Sequence, residues 1–133
     1  MREMRLSWSY GRGKNSVGGK QICFDWGSIE SMIRRIGRDS GVVSLDILDR
    51  TDVGPIELQV RSDRNAFLIT LGEENDREYF VRTFTNPNGS NEVIEILGDR
   101  WSTNQVCFDL DVVLNVFNEF FCTGNVTNDI LAE

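Results

Sequence analysis

Ile56-Glu57-Leu58-Gln59-Val60-Arg61, Asp63-Arg64-Asn65 and Ala66-Phe67-Leu68-Ile69-Thr70-Leu71 together decide the fold. In the first run apolar and polar residues alternate, the period of a strand with one buried face. The middle three are turn residues. The last run is nearly continuous in apolar residues, as a central strand should be.

The same signals extend outward on both sides. Before the pair, Val43, Leu45 and Ile47 fall on one face of a strand and Ser44 and Asp46 on the other, with Asp52-Val53-Gly54-Pro55 as a turn. After it, Gly72 to Asp76 reads as an acidic turn and Glu78 to Phe84 as another β-rich run. Asn86-Pro87-Asn88-Gly89 is a strong turn signal, and Glu92 to Leu97 is expected to complete the meander, ending at Gly98-Asp99. Near the N-terminus Leu6 to Tyr10 alternates as a strand. Gly11 to Lys20, with four glycines, is expected to be a mobile loop, and Ile22-Cys23-Phe24 a short returning strand.

Two stretches carry a helical period. Ile29, Met32, Ile33 and Ile36 form one apolar stripe within Asp25–Asp39, which Asp25 or Ser28 can cap. Gly41 is expected to supply the left-handed residue after this helix. From Asp109 to about Cys122, six residues (Val112, Val113, Val116, Phe117, Phe120 and Phe121) make a wide apolar face, with Gly124 closing the helix. A face that wide must lie on a sheet. The expected fold is therefore α+β: one domain over residues 1–133, a mainly antiparallel sheet of about five to six strands, and two main helices packed against it. Within it, residues 1–24 form an N-terminal hairpin with a glycine-rich loop, and 125–133 a C-terminal tail.

Composition narrows the function. The chain has no histidine among its 133 residues, so the usual general base and the commonest metal ligand are missing. The three cysteines, Cys23, Cys107 and Cys122, form no C-x-x-C pair and sit in apolar settings, as reduced, buried thiols do. The net charge is −7, but residues 1–24 hold five basic residues and one acidic, which leaves 9 basic and 20 acidic residues in the other 109. Such a body repels the phosphates of nucleic acid and membranes and attracts basic partners. The charged start, Met1-Arg2-Glu3-Met4-Arg5-Leu6, and the lack of a long apolar run predict a cytoplasmic protein.

The motifs that carry chemistry are weak. Gly19-Lys20 is followed by Gln21, and Lys14 stands where a phosphate-binding loop has its first glycine, so a hairpin loop is the better reading. Glu73, Glu74, Asp76 and Glu78 are the densest carboxylates, at an expected turn where charges are normally solvated. No calcium loop and no zinc-deaminase motif occurs. No catalytic residue, metal ligand or cofactor is assigned. The protein is expected to work by binding and not as an enzyme.

The order of the pieces resembles a known family. A helix and a four-stranded meander with Leu71-Gly72-Glu73 at a strand end are followed by Ile96-Leu97-Gly98-Asp99-Arg100-Trp101, and the closing helix ends Glu119-Phe120-Phe121-Cys122-Thr123-Gly124. Over residues 22–127 this resembles the Imm1 family of bacterial immunity proteins, small α+β proteins encoded beside polymorphic toxins. This chain departs from the family in two places. It has Gln105 to Asp109 where a proline often precedes the last helix, and no tryptophan after Gly124. Glu73 and Trp101 are the best matches to the family's glutamate and tryptophan positions.

The resemblance implies stoichiometric neutralisation of a secreted toxin domain. A nuclease or deaminase toxin would present a basic groove, and acidic residues here would meet it. The expected partner contacts are Glu73, Glu74, Asp76, Asn86, Asn88, Asp99 and Trp101, placed at one set of strand ends and turns. No direct contact with nucleic acid or membrane is expected, and an uncovered sheet edge leaves a homodimer open. Two rivals remain: a non-enzymatic adaptor or secretion-chaperone-like module, and a carboxylate-dependent enzyme, which needs two buried, convergent acids with perturbed pKa values.

Overall fold

The central strand pair is longer than its apolar pattern. In the computed structural model, which describes residues 3–11, 14, 16–23, 25–49, 53–76 and 78–132, the two strands run Gly54–Asp63 and Ala66–Asn75. Along the described residues the order is β1 (Met4–Tyr10), β2 (Val17–Cys23), α1 (Trp26–Asp39), β3 (Gly41–Ile47), β4 (Gly54–Asp63), β5 (Ala66–Asn75) and β6 (Glu78–Phe84), then β7 (Val93–Ile96), β8 (Asp99–Ser102), α2 (Leu110–Thr123) and β9 (Leu131–Ala132). Arg2, Arg12, Phe24, Asp52 and Glu133, all part of the expectations above, lie outside the described residues.

The fold is α+β. Seven strands form one sheet in the order β2-β1-β3-β4-β5-β6-β9, every neighbour antiparallel. Arg64 and Asn65, both with positive φ, close the β4–β5 hairpin, as a tight two-residue turn requires. Both helices pack on one face of the sheet, whose buried residues include Leu6, Leu45, Leu58, Val60, Ile69 and Leu71. α1 contributes Ile29, Ile33 and Ile36, and α2 contributes Val113, Leu114, Val116, Phe117 and Phe120. Phe117 and Phe120 are fully buried, each contributing roughly 1.5–3 kcal/mol. Trp26 and Phe121 meet between the helices with ring centroids 6.5 Å apart. Asp25 caps α1 by accepting from Ser28 N at 2.8 Å, and Asp109 caps α2 by accepting from Asp111 N at 2.9 Å.

Several expectations need correction. Gly72, Glu73 and Glu74 are inside β5, and the turn to β6 comes only after Asn75. Hydrogen bonding across the sheet carries the polar residues into the strand, since Gly54 and Pro55 supply partners for Glu74 and Glu73. Val17 to Lys20 belongs to β2 and pairs with β1, so the glycine-rich loop is shorter than expected.

The larger difference is at β7. Val93–Ile96 does not join the meander but pairs only with β8, as a separate hairpin. Ile96 packs with Ala66, Leu68 and Val106 in a second, small core on the sheet face away from the helices, with Ile94 and Trp101 against it. Asp63 anchors the hairpin's tip: its carboxylate accepts from Leu97 N at 3.0 Å and from Ser40 Oγ at 3.3 Å.

At the end of α1 it is Ser40 that takes a positive φ, 61°, but with an extended ψ of 146° and not the left-handed helical one. Gly41 starts β3, where a Cβ would lie 2.1 Å from the carbonyl oxygen of Ser9. Cys122 is exposed, whereas Cys23 and Cys107 are buried, and burial raises the pKa of both buried thiols. Among the described residues no helix is long and apolar enough to cross a membrane.

Candidate functional site

The sheet has a second face, opposite the helices, and the β7–β8 hairpin covers only part of it. Strand alternation and register build this face in rows that run across the strands. One row pairs Arg5 on β1 with Asp46 on β3, Asp46 with Glu57 on β4, Glu57 with Gly72 on β5, and Gly72 with Val81 on β6. The next row, Lys20, Ser7, Ser44, Gln59, Thr70 and Thr83, is polar throughout. The third brings Arg61 beside Leu68, at the edge of the hairpin's core.

The first row concentrates charge. Arg5 donates to Asp46 Oδ2 from Nε at 3.3 Å and from NH2 at 3.0 Å. The other Asp46 oxygen, Oδ1, is buried and receives no donor among the described residues. Glu57 stands directly opposite Asp46, a pairing that is repulsive when both are ionised. Burial, then the hydrogen bond to Asp46 and its charge, push the Glu57 carboxyl up to about 7, against a smaller opposing pull from Arg5. A protonated Glu57 is the donor that Asp46 lacks. The two acids face one another, both half-buried, with a raised pKa at Glu57, and they belong to no cluster singled out in the sequence.

Next to them the face is concave. A depression of about 250 Å³ is lined by Glu57, Gln59, Arg61, Thr70, Tyr79 and Trp101 among others. Gly72 makes room for Tyr79: a Cβ at residue 72 would lie 2.3 Å from Oη. The phenol hydroxyl thus crosses the sheet toward Glu57, which pairs with Gly72. Gln59 accepts from Arg61 Nε at 3.3 Å and donates to Ser44 Oγ at 3.1 Å. Arg61 NH1 reaches Asp99 at 3.4 Å. Trp101 is half-buried, and its Nε1–H is buried with no acceptor among the described residues. Tyr79 is 63% exposed and Val81 48%.

The seven expected contact residues do not form one surface. Glu74, Asp99 and Trp101 belong to the open face or its hairpin border, and Asp76 is exposed at the adjoining β5–β6 turn. Glu73 points to the helix side and pairs with the buried Arg82 at 3.2 Å. Arg82 also holds Asn125 Oδ1 at 3.0 Å and the carbonyls of Val126 and Leu131. Asn86 and Asn88 lie beyond the far end of β6, whose seven residues span about 23 Å. Asn86 is a tie, donating to the Val106 carbonyl at 2.9 Å and accepting from Asn88 N at 2.9 Å. Both asparagines line a different groove, about 630 Å³, beside Phe84, Phe108 and Val112.

Asp46, Glu57, Tyr79 and Val81 are additions to the set. Alternation places Asp46 and Glu57 away from the core, but only register sets them opposite one another. Among the described residues no three His, Cys, Asp or Glu side chains are placed to hold a metal ion.

Residues 7–130 match a family of unknown function, DUF6911. The chain belongs to the DUF6911 family. This DUF6911 chain is also similar to a solved structure, the crystal structure of a hypothetical protein from Neisseria gonorrhoeae. The two are 14% identical, with a TM-score of 0.80 over 96% of this chain and 92% of that one. That likeness establishes a shared fold. Among curated proteins none matches the chain. Neither the DUF6911 match nor the solved structure assigns an activity.

Proposed function

We propose that this chain is an immunity-type protein that binds a cognate toxin domain one-to-one and blocks it. The observation that carries the reading is the sheet face left open beside the β7–β8 hairpin, where exposed Tyr79 and Val81 stand among Asp46, Glu57 and Glu74. Apolar side chains exposed on a sheet and rimmed by charge are a usual mark of a protein interface. The acidic body favours a basic partner surface, such as the groove of a nuclease or deaminase. The resemblance to the Imm1 family supports toxin neutralisation over an adaptor role.

The test is growth. The C-terminal domain of whatever large secreted protein is encoded next to this chain is expressed in bacteria with and without it. Rescue together with a one-to-one complex supports the reading; no rescue and no complex removes it.

A second reading has its own observation. Asp46 and Glu57 converge, and one of them holds a proton near neutrality, as a carboxylate-dependent enzyme requires. Growth rescue by a variant lacking the Glu57 carboxyl, at unchanged affinity, would separate binding from any chemistry at this pair.

A further inference from the structure

Two charged residues line the depression that Tyr79 and Trp101 share, Glu57 and Arg61, and among the described residues only Arg61 has an ion pair. Asp46 is neutralised by Arg5, and Arg61 is held by Gln59 and Asp99. Glu57 forms no ion pair among the described residues, and the acid opposite it repels its charge. Two aromatic side chains line the same depression, one of them largely exposed, and Gly72 aims the Tyr79 hydroxyl toward the Glu57 row. A carboxyl without an ion pair in a depression lined by two aromatic rings is the chemistry that receives a planar cation. Guanidinium fits better than ammonium, because it stacks on rings and gives a carboxylate two parallel donors.

We infer that the depression lined by Glu57, Tyr79 and Trp101 receives one arginine side chain of the partner protein. This rests on the proposed function, since it names the contact by which a basic toxin domain would be held. Arriving charge converts Glu57 to its carboxylate, so binding releases a proton near neutral pH. The ionisable groups facing Glu57 in this exchange are Arg5 from β1, Asp46 from β3, Arg61 from its own strand and Tyr79 from β6.

The experiment uses the full chain, 15N-labelled, titrated with N-acetyl-arginine amide while the indole N–H signals are followed. Trp101→Phe assigns the signal. N-acetyl-citrulline amide, the neutral isostere, is the control. The expected result is a saturable shift of the Trp101 signal with arginine. Citrulline, Glu57→Gln and the surface variant Tyr79→Ala should each weaken it at least tenfold. No saturable shift, or equal binding by citrulline or by Glu57→Gln, overturns the proposal.

The two readings fail separately. Arginine binding without growth rescue leaves the pocket standing and removes the immunity role. Toxin binding by Glu57→Gln within twofold of the unaltered protein, with rescue intact, leaves the immunity role and removes the arginine contact.

Discussion

Glu57 links ionisation to folding. Its carboxyl is raised from the ordinary 4.5 to about 7 in the folded chain. Below the unfolded value both states hold the proton, and the stabilising hydrogen bond to Asp46 is fully present. Between roughly pH 4.5 and 7 the unfolded chain has released the proton that the folded chain keeps, so stability falls as pH rises; above that it levels off. Glu57 is only half-buried, so solvent screening reduces the change to on the order of 1–2 kcal/mol. Glu57→Gln should remove this component, because an amide can donate to Asp46 at any pH. Urea unfolding of both proteins at pH 5 and pH 8 measures it, and parallel pH profiles would show that Glu57 holds no such proton.

At the scale of elements, Arg82 ties the last segment of the chain to the sheet. It is 4% exposed and joins Glu73 on β5 to Asn125, Val126 and Leu131 beyond α2. β9 itself pairs only Leu131 and Ala132 with β6, too short a strand to hold by its own ladder. Arg82→Met keeps the side chain's bulk but leaves Glu73 without its cation and removes the Arg82 donors from the Val126 and Leu131 carbonyls. The expected loss is about 3 kcal/mol, read as a lower urea midpoint. Amide exchange should speed up first over residues 125–132. Uniform loss of protection would show instead that the C-terminal segment unfolds only with the whole domain.

For the whole molecule the important property is the division of the sheet into two faces. One carries both helices and the core; the other is polar, partly roofed by the β7–β8 hairpin, and otherwise open. If the open face meets a basic partner, charge should govern encounter more than residence. Reversing Glu74 and Asp76 to lysine should slow association about tenfold at low salt, with dissociation little changed, and the gap should close near 0.5 M salt as screening shortens the range. Binding kinetics across a salt series give the answer; an unchanged association rate would place the contact elsewhere. Glu73 is left out of this test, since its reversal would confront Arg82 and report on folding.

Local pattern determined much of this protein. Alternation in Ile56–Arg61 and Val43–Ile47 marks strands, the apolar stripes of Asp25–Asp39 and Asp109–Cys122 mark two helices, and Asp25, Asp109 and Gly124 cap them as their chemistry requires. Alternation also sends Asp46, Glu57 and Gln59 away from the core. These features are readable because each depends on neighbours a few residues apart. Tertiary structure alone decided the rest. Whether Val93–Ile96 extends the sheet or crosses over it depends on a small core with Ala66, Leu68 and Val106, and on Asp63 holding Leu97. The separation of Asp76 from Asn86, the loss of Glu73 to Arg82, and the meeting of Asp46 with Glu57 all follow from strand register, which couples residues far apart in sequence.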